Sequence, residues 1–143
     1  MRKLILLAGI AVALLTSISL WFDEGEVVRL ITTDENGNEF ETGLWIIELE
    51  GVAYLRAESK DAAWIKRIRE RPDVQLDRAG RRADYRAIPI GDDHTRDSVS
   101  RAMAVKYGQL DRAVALFRDY SHSLPVRLQV RSPEQTRTIG LSP

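Results

Sequence analysis

Six short stretches of the chain are rich in β-branched and aromatic residues, and in some of them apolar and polar positions alternate. In the first stretch, Val28, Leu30 and Thr32 fall on one face. This pattern predicts half-buried β-strands, because such side chains pack well on a pleated surface. The predicted strands cover residues 26–33, 39–49, 52–57, 74–78, 82–90 and 126–130.

Short turn sequences separate most of these predicted strands. Residues 34–38 (Asp-Glu-Asn-Gly-Asn) are a strong turn signal, Glu50 and Gly51 supply the next reversal, and Ala79 and Gly80 supply a third. Glycine accepts the positive φ that tight turns require. Strands joined by such short turns run antiparallel, since a parallel pair needs a long crossover connection.

In three other segments, the apolar residues have the spacing of amphipathic helices. The first covers residues 62–71, where Asp61 is predicted to cap the start and Pro72 cannot continue the helix. The second follows Asp93 and is predicted to end at Gly108. The apolar faces comprise Trp64, Ile65 and Ile68 in the first helix, Val99, Ala102, Met103 and Lys106 in the second, and Leu110, Ala113, Val114, Phe117 and Tyr120 in the third.

The first 22 residues have the pattern of a membrane anchor. Arg2 and Lys3 precede residues 4–22, which carry no charge and are about long enough to span a bilayer. Basic flanks tend to stay in the cytoplasm, so the following domain is expected on the non-cytoplasmic side. The alternative is a signal peptide cleaved near residues 17–19, which would leave a secreted or periplasmic protein.

The order of elements predicts an α+β domain built as a small antiparallel β-barrel with flanking helices, preceded by a transmembrane helix. Residues 1–22 form the anchor or signal peptide and residues 23–131 the barrel domain. Residues 132–143 contain two prolines and few apolar residues, and are expected to form a flexible tail.

Composition excludes several functions. The formal net charge of zero argues against nucleic acid as a partner. The chain has no cysteine, which excludes disulfides, thiolate nucleophiles and cysteine metal sites. His94 lies beside Asp92 and Asp93, but a helix N-terminus explains these aspartates better than a metal. No metal site is therefore predicted.

Charge is distributed unevenly along the chain. Residues 23–50 contain nine acidic residues and one basic residue, whereas residues 51–143 contain eighteen basic and twelve acidic residues. Neighbouring strands that pair across a sheet would explain this asymmetry. The alternative is that the basic part faces an anionic ligand.

Several positions resemble the split β-barrel flavin-binding superfamily, and within it the deazaflavin-dependent nitroreductase family. Residues 124–128 (Leu-Pro-Val-Arg-Leu) are similar to the closing strand of that family, which also follows a helical pair. The other matching positions are Trp64, Pro72, Val74, Leu76, Gly80, Tyr85 and Ala87.

The resemblance implies an FMN or deazaflavin cofactor in a cleft on the barrel, often at the interface of a homodimer. Positions on the second strand would border the ring. Positions at the end of the third strand would border the phosphate-bearing tail, and positions on the next helix would close the far side. The implied cofactor-binding residues are Trp45, Ile46, Arg56, Ala57, Glu58, Ser59, Trp64, Lys66 and Arg67.

The resulting functional prediction is a membrane-anchored flavin- or deazaflavin-dependent oxidoreductase of the nitroreductase or quinone-reductase type. Its substrate would be a small organic acceptor, and no catalytic residue is identified. The alternative is a cofactor-free split-barrel module for binding or assembly at the membrane. Residues 34–39 are acidic where the family usually carries a basic, glycine-rich segment, and this difference keeps the alternative open.

The uncharged apolar run makes a prediction about sedimentation. The full chain is expected in the membrane fraction, and a chain that begins at Asp23 is expected in the soluble fraction. Ultracentrifugation of cell lysates separates the two cases. Recovery of the full chain in the supernatant, with Met1 intact by mass spectrometry, would contradict the anchor.

Overall fold

A computed structural model of the protein describes residues 26–115 and 119–131. The described chain contains six strands, two helices and a short 3-10 helix at Tyr120–His122. The strands are β1 (Val27–Thr33), β2 (Glu39–Leu49), β3 (Val52–Ala57), β4 (Asp73–Arg78), β5 (Arg81–Pro89) and β6 (Leu124–Val130). The helices are α1 (Ala63–Glu70) and α2 (Asp93–Ala115).

The six strands form a closed antiparallel barrel in the order β1-β2-β3-β6-β5-β4. The pairing of β4 with β1 closes it, with Leu30 opposite Leu76. The pairing of β3 with β6 joins the two halves, with Leu55 opposite Val126. The predicted α+β class and small antiparallel barrel are therefore confirmed.

In two of the hairpins, the turn consists of two residues in the left-handed conformation. Glu50 and Gly51 have φ values of 51° and 76°, and Ala79 and Gly80 have values of 52° and 78°. Two consecutive positive φ values match the right-handed twist of the flanking strands. Glycine at the second position adopts this conformation without a steric penalty, which explains why both turns fall where the sequence predicts them.

The inward side chains of the strands and the buried face of α1 form the main core. Leu30, Leu55 and Val126 are fully buried in the barrel, and Ile65 of α1 packs with them at 0% exposure. Trp64 is buried in the same cluster, as its place on the predicted apolar face requires. The predicted face of this helix is thus the one that packs.

The start of α1 differs from the prediction. Ala62 is the N-cap residue and no side chain caps the helix, so the prediction that Asp61 caps it is wrong. Asp61 lies one position too early, and its own N–H donates to the Ser59 hydroxyl at 3.2 Å. The first N–H groups of α1 are left without a side-chain acceptor at the cap.

Helix α2 covers part of the outer wall of the barrel through a second apolar cluster. Val99, Met103 and Tyr107 of the helix pack on Ile47 of β2. Gly108, with φ 50° and ψ −115°, then breaks the helical geometry where an end was predicted. The kink redirects the last turns of α2.

The residues after this kink do not pack as their apolar spacing predicts. Leu110 is 42% exposed and Ala113 is exposed, whereas Asp111 is buried. The buried carboxylate has an ionic partner on β3, so an ion pair overrides the apolar periodicity here. Phe117 lies outside the described residues.

The Tyr107 hydroxyl joins α2 to the backbone of β2. It accepts the N–H of Ile46 at 3.0 Å, and its oxygen lies 2.7 Å from the Ile46 carbonyl and 3.0 Å from the Glu26 carbonyl. Because the hydroxyl has one proton, it donates a hydrogen bond to only one of these two carbonyls at a time. The Tyr107 ring also stacks on Trp45, with centroids 4.6 Å apart and an interplanar angle of 11°.

A network of charged side chains lies beside this contact. The Glu26 carboxylate accepts hydrogen bonds from the guanidinium of Arg78 and from Lys106 Nζ, the latter at 2.7 Å. Arg78 also contacts Glu48 at 2.8 Å. The hydrogen bond from Arg78 is the main cause that lowers the pKa of Glu26. Acidic residues of the first third therefore pair with basic residues of the remainder inside the protein, although Lys106 lies on α2 and these ion pairs do not join neighbouring strands.

The predicted anchor at residues 4–22 and the predicted tail at residues 132–143 lie outside the described residues. Within residues 26–115 and 119–131, no helix is long and apolar enough to cross a membrane.

The contact between Tyr107 and Ile46 predicts a specific loss of stability. Changing Tyr107 to Phe keeps the ring stack but removes the partner of a buried backbone N–H, which should cost about 1–3 kcal/mol. Urea unfolding measures this loss. The matched control is Tyr85→Phe, at a half-buried tyrosine of β5. Equal losses in the two variants would contradict a special role for the Tyr107 hydroxyl.

The lowered pKa of Glu26 predicts that the stabilising effect of its carboxylate depends on pH. A carboxylate whose pKa is lower in the folded state than in the unfolded state stabilises the fold at pH values above its unfolded pKa, here near 4.5. This stabilisation is lost as the pH falls through the folded-state pKa. Glu26→Gln should therefore cost about 1 kcal/mol at neutral pH and less at about pH 3.

Urea unfolding of wild type and Glu26→Gln at both pH values tests this dependence. The control is Glu70→Gln, at an exposed glutamate of α1. A loss that is the same at both pH values would contradict the ionic origin of the effect.

Candidate functional site

A cleft of about 630 Å³ opens on the outer wall of the barrel. It lies between β2, the end of β3, the start of α1 and the short helix that contains Tyr120. The residues that line it are Val27, Thr42, Gly43, Leu44, Trp45, Arg56, Glu58, Ala62, Ala63, Trp64 and Tyr120.

The alternation of side chains along β1 and β2 builds the floor of the cleft. Val27 is opposite Trp45 in the register, and both lie on the outer face, whereas the next residues, Val28 and Ile46, point into the core. Gly43 lies two residues before Trp45 on the same face. A Cβ atom at Gly43 would lie 3.5 Å from Val27 Cγ1, so the missing side chain leaves space between them.

Aromatic side chains supply much of the remaining surface. Trp45 is half-buried, and Tyr107 stacks behind it and fixes its ring. Trp64, which is 6% exposed, and Tyr120 border the cleft from the side of α1 and the 3-10 helix. Aromatic surfaces with a few polar groups at the margin are suited to a planar heteroaromatic ligand.

Arg56 lines the cleft but is already engaged in an ion pair. Its Nη2 lies 2.5 Å from Oδ1 of Asp111, and the two side chains are only 5% and 10% exposed. The Tyr120 ring covers the guanidinium, with Cζ 3.9 Å from the ring centroid. Arg56 is thus in the predicted place, but its charge is compensated by the protein itself.

The start of α1 faces the cleft through Ala62, Ala63 and Trp64. The early N–H groups of a helix and the positive end of its dipole favour an anion or a hydrogen-bond acceptor. Glu58, in the preceding loop, adds a carboxylate to the same lining. This end of the cleft therefore offers both donors and an acceptor.

The predicted site residues fall into three groups. Trp45, Arg56, Glu58 and Trp64 come together in the cleft. Ile46 and Ala57 are 1% exposed and point into the barrel core, and neither is part of the cleft lining.

The third group consists of the polar residues around α1. Ser59 accepts the Asp61 N–H, and Lys66 is exposed on the helix surface. Arg67 donates to the Thr32 hydroxyl at 2.8 Å and lies over the Phe40 ring. None of these three side chains is part of the cleft lining.

Sequence reasoning missed several residues that shape the cleft. An isolated glycine in a strand often marks a close approach of a ligand or another chain, so Gly43 carried a usable signal. No sequence signal pointed to Asp111 or Tyr107, because their partners lie 55 and 61 residues away in the chain. Tyr120 was assigned to a helical face, but it forms part of a short 3-10 helix beside Arg56.

The His94 region agrees with the helix N-terminus interpretation. Asp92 accepts the backbone N–H of Thr95 at 2.7 Å, and this hydrogen bond lowers the pKa of Asp92. His94 is exposed at the surface. Within the described residues, no cluster of three or more histidine, aspartate or glutamate side chains could hold a metal.

No protein-family model matches the chain, and no curated protein matches it. Solved structures do match. HutZ, the heme storage protein from Vibrio cholerae, is 15% identical with a TM-score of 0.59, and the match covers 82% of this chain and 89% of HutZ.

Two further solved structures have a similar fold. A candidate pyridoxamine 5′-phosphate oxidase from Listeria innocua is 10% identical with a TM-score of 0.58, and the match covers 82% of this chain and 93% of that protein. An FAD-binding protein from Mesorhizobium loti is 16% identical with a TM-score of 0.55, with 76% and 83% covered.

These similarities confirm the predicted split-barrel fold. They do not single out the deazaflavin-dependent nitroreductase family, which stays a prediction.

Proposed function

We propose that the cleft binds the planar ring of a flavin or deazaflavin, such as that of FMN. With this cofactor the protein would be an oxidoreductase of the nitroreductase or quinone-reductase type that acts on a small organic acceptor. One observation carries the proposal: a cleft floored by Trp45, and bordered by Trp64 and Tyr120, opens on the outer wall of a split barrel. An FAD-binding protein has a similar fold.

The residues of the cleft fit the ring of such a cofactor. The volume of about 630 Å³ lies within the usual range for small-molecule sites. Trp45 offers a face that is held in place from behind by Tyr107. Gly43 adds no side chain to the floor, so a flat ring can approach the β2 backbone closely. The start of α1 lines the cleft through Ala62, Ala63 and Trp64, and early helix N–H groups can donate to ring carbonyl or nitrogen atoms.

When bound, the cofactor would supply the hydride transfer, which no side chain of the protein can perform. The task of the protein is then to orient the ring, to exclude water from one side and to leave the other side open for the acceptor. Trp45 and Trp64 would serve the first two purposes. No residue is assigned a catalytic role.

The proposal places the barrel at a membrane, on the non-cytoplasmic side, with residues 4–22 as the anchor. Its support is the uncharged apolar run behind Arg2 and Lys3. The homodimer that the family resemblance implies is part of the same proposal.

The second candidate is a cofactor-free module for binding or assembly. It is favoured by the ion pair between Arg56 and Asp111, because the residue implied to hold a cofactor phosphate already has a partner. The two candidates differ in whether the protein binds a flavin-type ring at all.

A variant that fills the cleft without harming the fold tests the proposal. Gly43→Val places a branched side chain on the floor beside Val27, and valine suits a strand better than glycine. We expect wild type to bind riboflavin, FMN or a deazaflavin, and Gly43→Val to bind about tenfold or more weakly with no loss of stability.

Fluorescence titration of the full chain measures these affinities, and thermal unfolding checks the fold. The matched control is Gly91→Val, because Gly91 lies outside the cleft lining with open space around it. Absence of binding to folded wild type would favour the cofactor-free module. Equal affinities in Gly43→Val and wild type would place the binding site elsewhere.

A further inference from the structure

We infer that Asp111 makes the cleft select an uncharged planar ring over a phosphate-bearing ligand, by neutralising Arg56 within the protein. This inference rests on the proposed function and specifies its ligand class. A phosphate-free isoalloxazine such as riboflavin, or another neutral heteroaromatic ring, would bind at least as well as FMN. Asp111 would then be the residue that determines specificity.

The basis is the position of Arg56 among the charges of the cleft. Arg56 is the one basic residue in the cleft lining formed by the described residues. Its Nη2 contacts Oδ1 of Asp111 at 2.5 Å, and neither side chain is more than 10% exposed. A charge-assisted hydrogen bond in such a buried setting is strong, because little water competes for either partner.

A phosphate cannot take over Arg56 without a penalty. To form two parallel hydrogen bonds with the guanidinium, the phosphate would compete with the Asp111 carboxylate for it. Asp111 is 7% exposed as a residue, so losing Arg56 would leave a buried carboxylate without its cation. The Tyr120 ring, 3.9 Å from Cζ, also covers one face of the guanidinium.

The other charges near the cleft do not replace Arg56. Lys66 points to solvent and Arg67 is bound to Thr32, so neither belongs to the lining. The start of α1 does favour an anion, but a helix dipole at a partly exposed site contributes only roughly two- to fivefold in affinity. A free arginine would contribute roughly ten- to a hundredfold. Because Asp111 cancels the contribution of Arg56 to phosphate affinity, contacts with the ring decide which ligand the cleft binds.

The experiment compares riboflavin with FMN, which differ only in the phosphate. We expect the full wild-type chain to bind riboflavin as tightly as FMN within about fivefold, or more tightly. Asp111→Asn removes the competing charge while keeping the size of the side chain. In this variant FMN should gain about tenfold in affinity relative to riboflavin.

The matched control is Asp97→Asn, the same change at an exposed aspartate on α2, whose side chain is 61% exposed. Its ratio of FMN to riboflavin affinity should equal that of wild type. Circular dichroism and thermal unfolding establish that each variant is folded. The wild-type ratio remains decisive even if Asp111→Asn does not fold.

The outcomes separate this inference from the proposed function. Wild type that binds FMN more than tenfold tighter than riboflavin would overturn the inference and leave the flavin site standing. An unchanged ratio in folded Asp111→Asn would overturn the role of Asp111. If neither ligand binds to wild type, the proposed function fails, and this inference fails with it.

Discussion

The hydroxyl of Tyr107 completes the hydrogen bonding of β2 at the point where β1 begins. The N–H of Ile46 would otherwise lie buried without a partner, and such a group destabilises a fold strongly, whereas the Ile46 C=O also accepts a hydrogen bond from Lys106 Nζ at 2.9 Å. The same side chain carries α2 onto the barrel wall and stacks on Trp45. The position of the helix, the pairing of β2 and the floor of the cleft therefore depend on one contact.

The alternation of side chains along β2 and β3 places core residues on one face of each strand and outward residues of the cleft on the other. On β2, Ile46 points inward to the core, whereas Gly43 and Trp45 point outward to the cleft. On β3, Leu55 and Ala57 are core residues and Arg56 between them is the ionic partner of Asp111. Outward residues such as Gly43 can therefore change without touching the core, whereas Leu44 and Trp64 line the cleft and also pack with the core.

Much of the fold was predictable because its signals are local. The bounds of β2 and β3 agree with the sequence analysis, since a turn or loop sequence fixes each end. The prediction that Asp61 caps α1 was wrong because the N-cap position falls on Ala62, one residue after Asp61. Leu110 was assigned to a packed face because apolar spacing cannot show that Arg56, 55 residues earlier, selects Asp111 instead.

The site was less predictable than the fold for the same reason. The family resemblance pointed to Trp45, Arg56 and Trp64, which line the cleft, but it also pointed to Ile46 and Ala57, whose side chains face the core. Lys66 and Arg67 were chosen for their charge. Arg67 is instead used to hold Thr32 and Phe40 near the first turn. For Arg67 and Arg56, partners that are distant in sequence decided what the side chain does.

The closed order of the barrel also limits how this protein can associate. Each of the six described strands has a neighbour on both sides over part of its length, but residues 39–45 of β2 pair with β1 alone, because β3 pairs only with Ile46–Leu49. A segment paired on one side is where a second chain can add a strand through backbone hydrogen bonds. Elsewhere on the barrel, contacts with another copy or another protein rest on side chains, such as the exposed Val105 of α2 or Val130 of β6. Such contacts can be altered one residue at a time without opening the barrel.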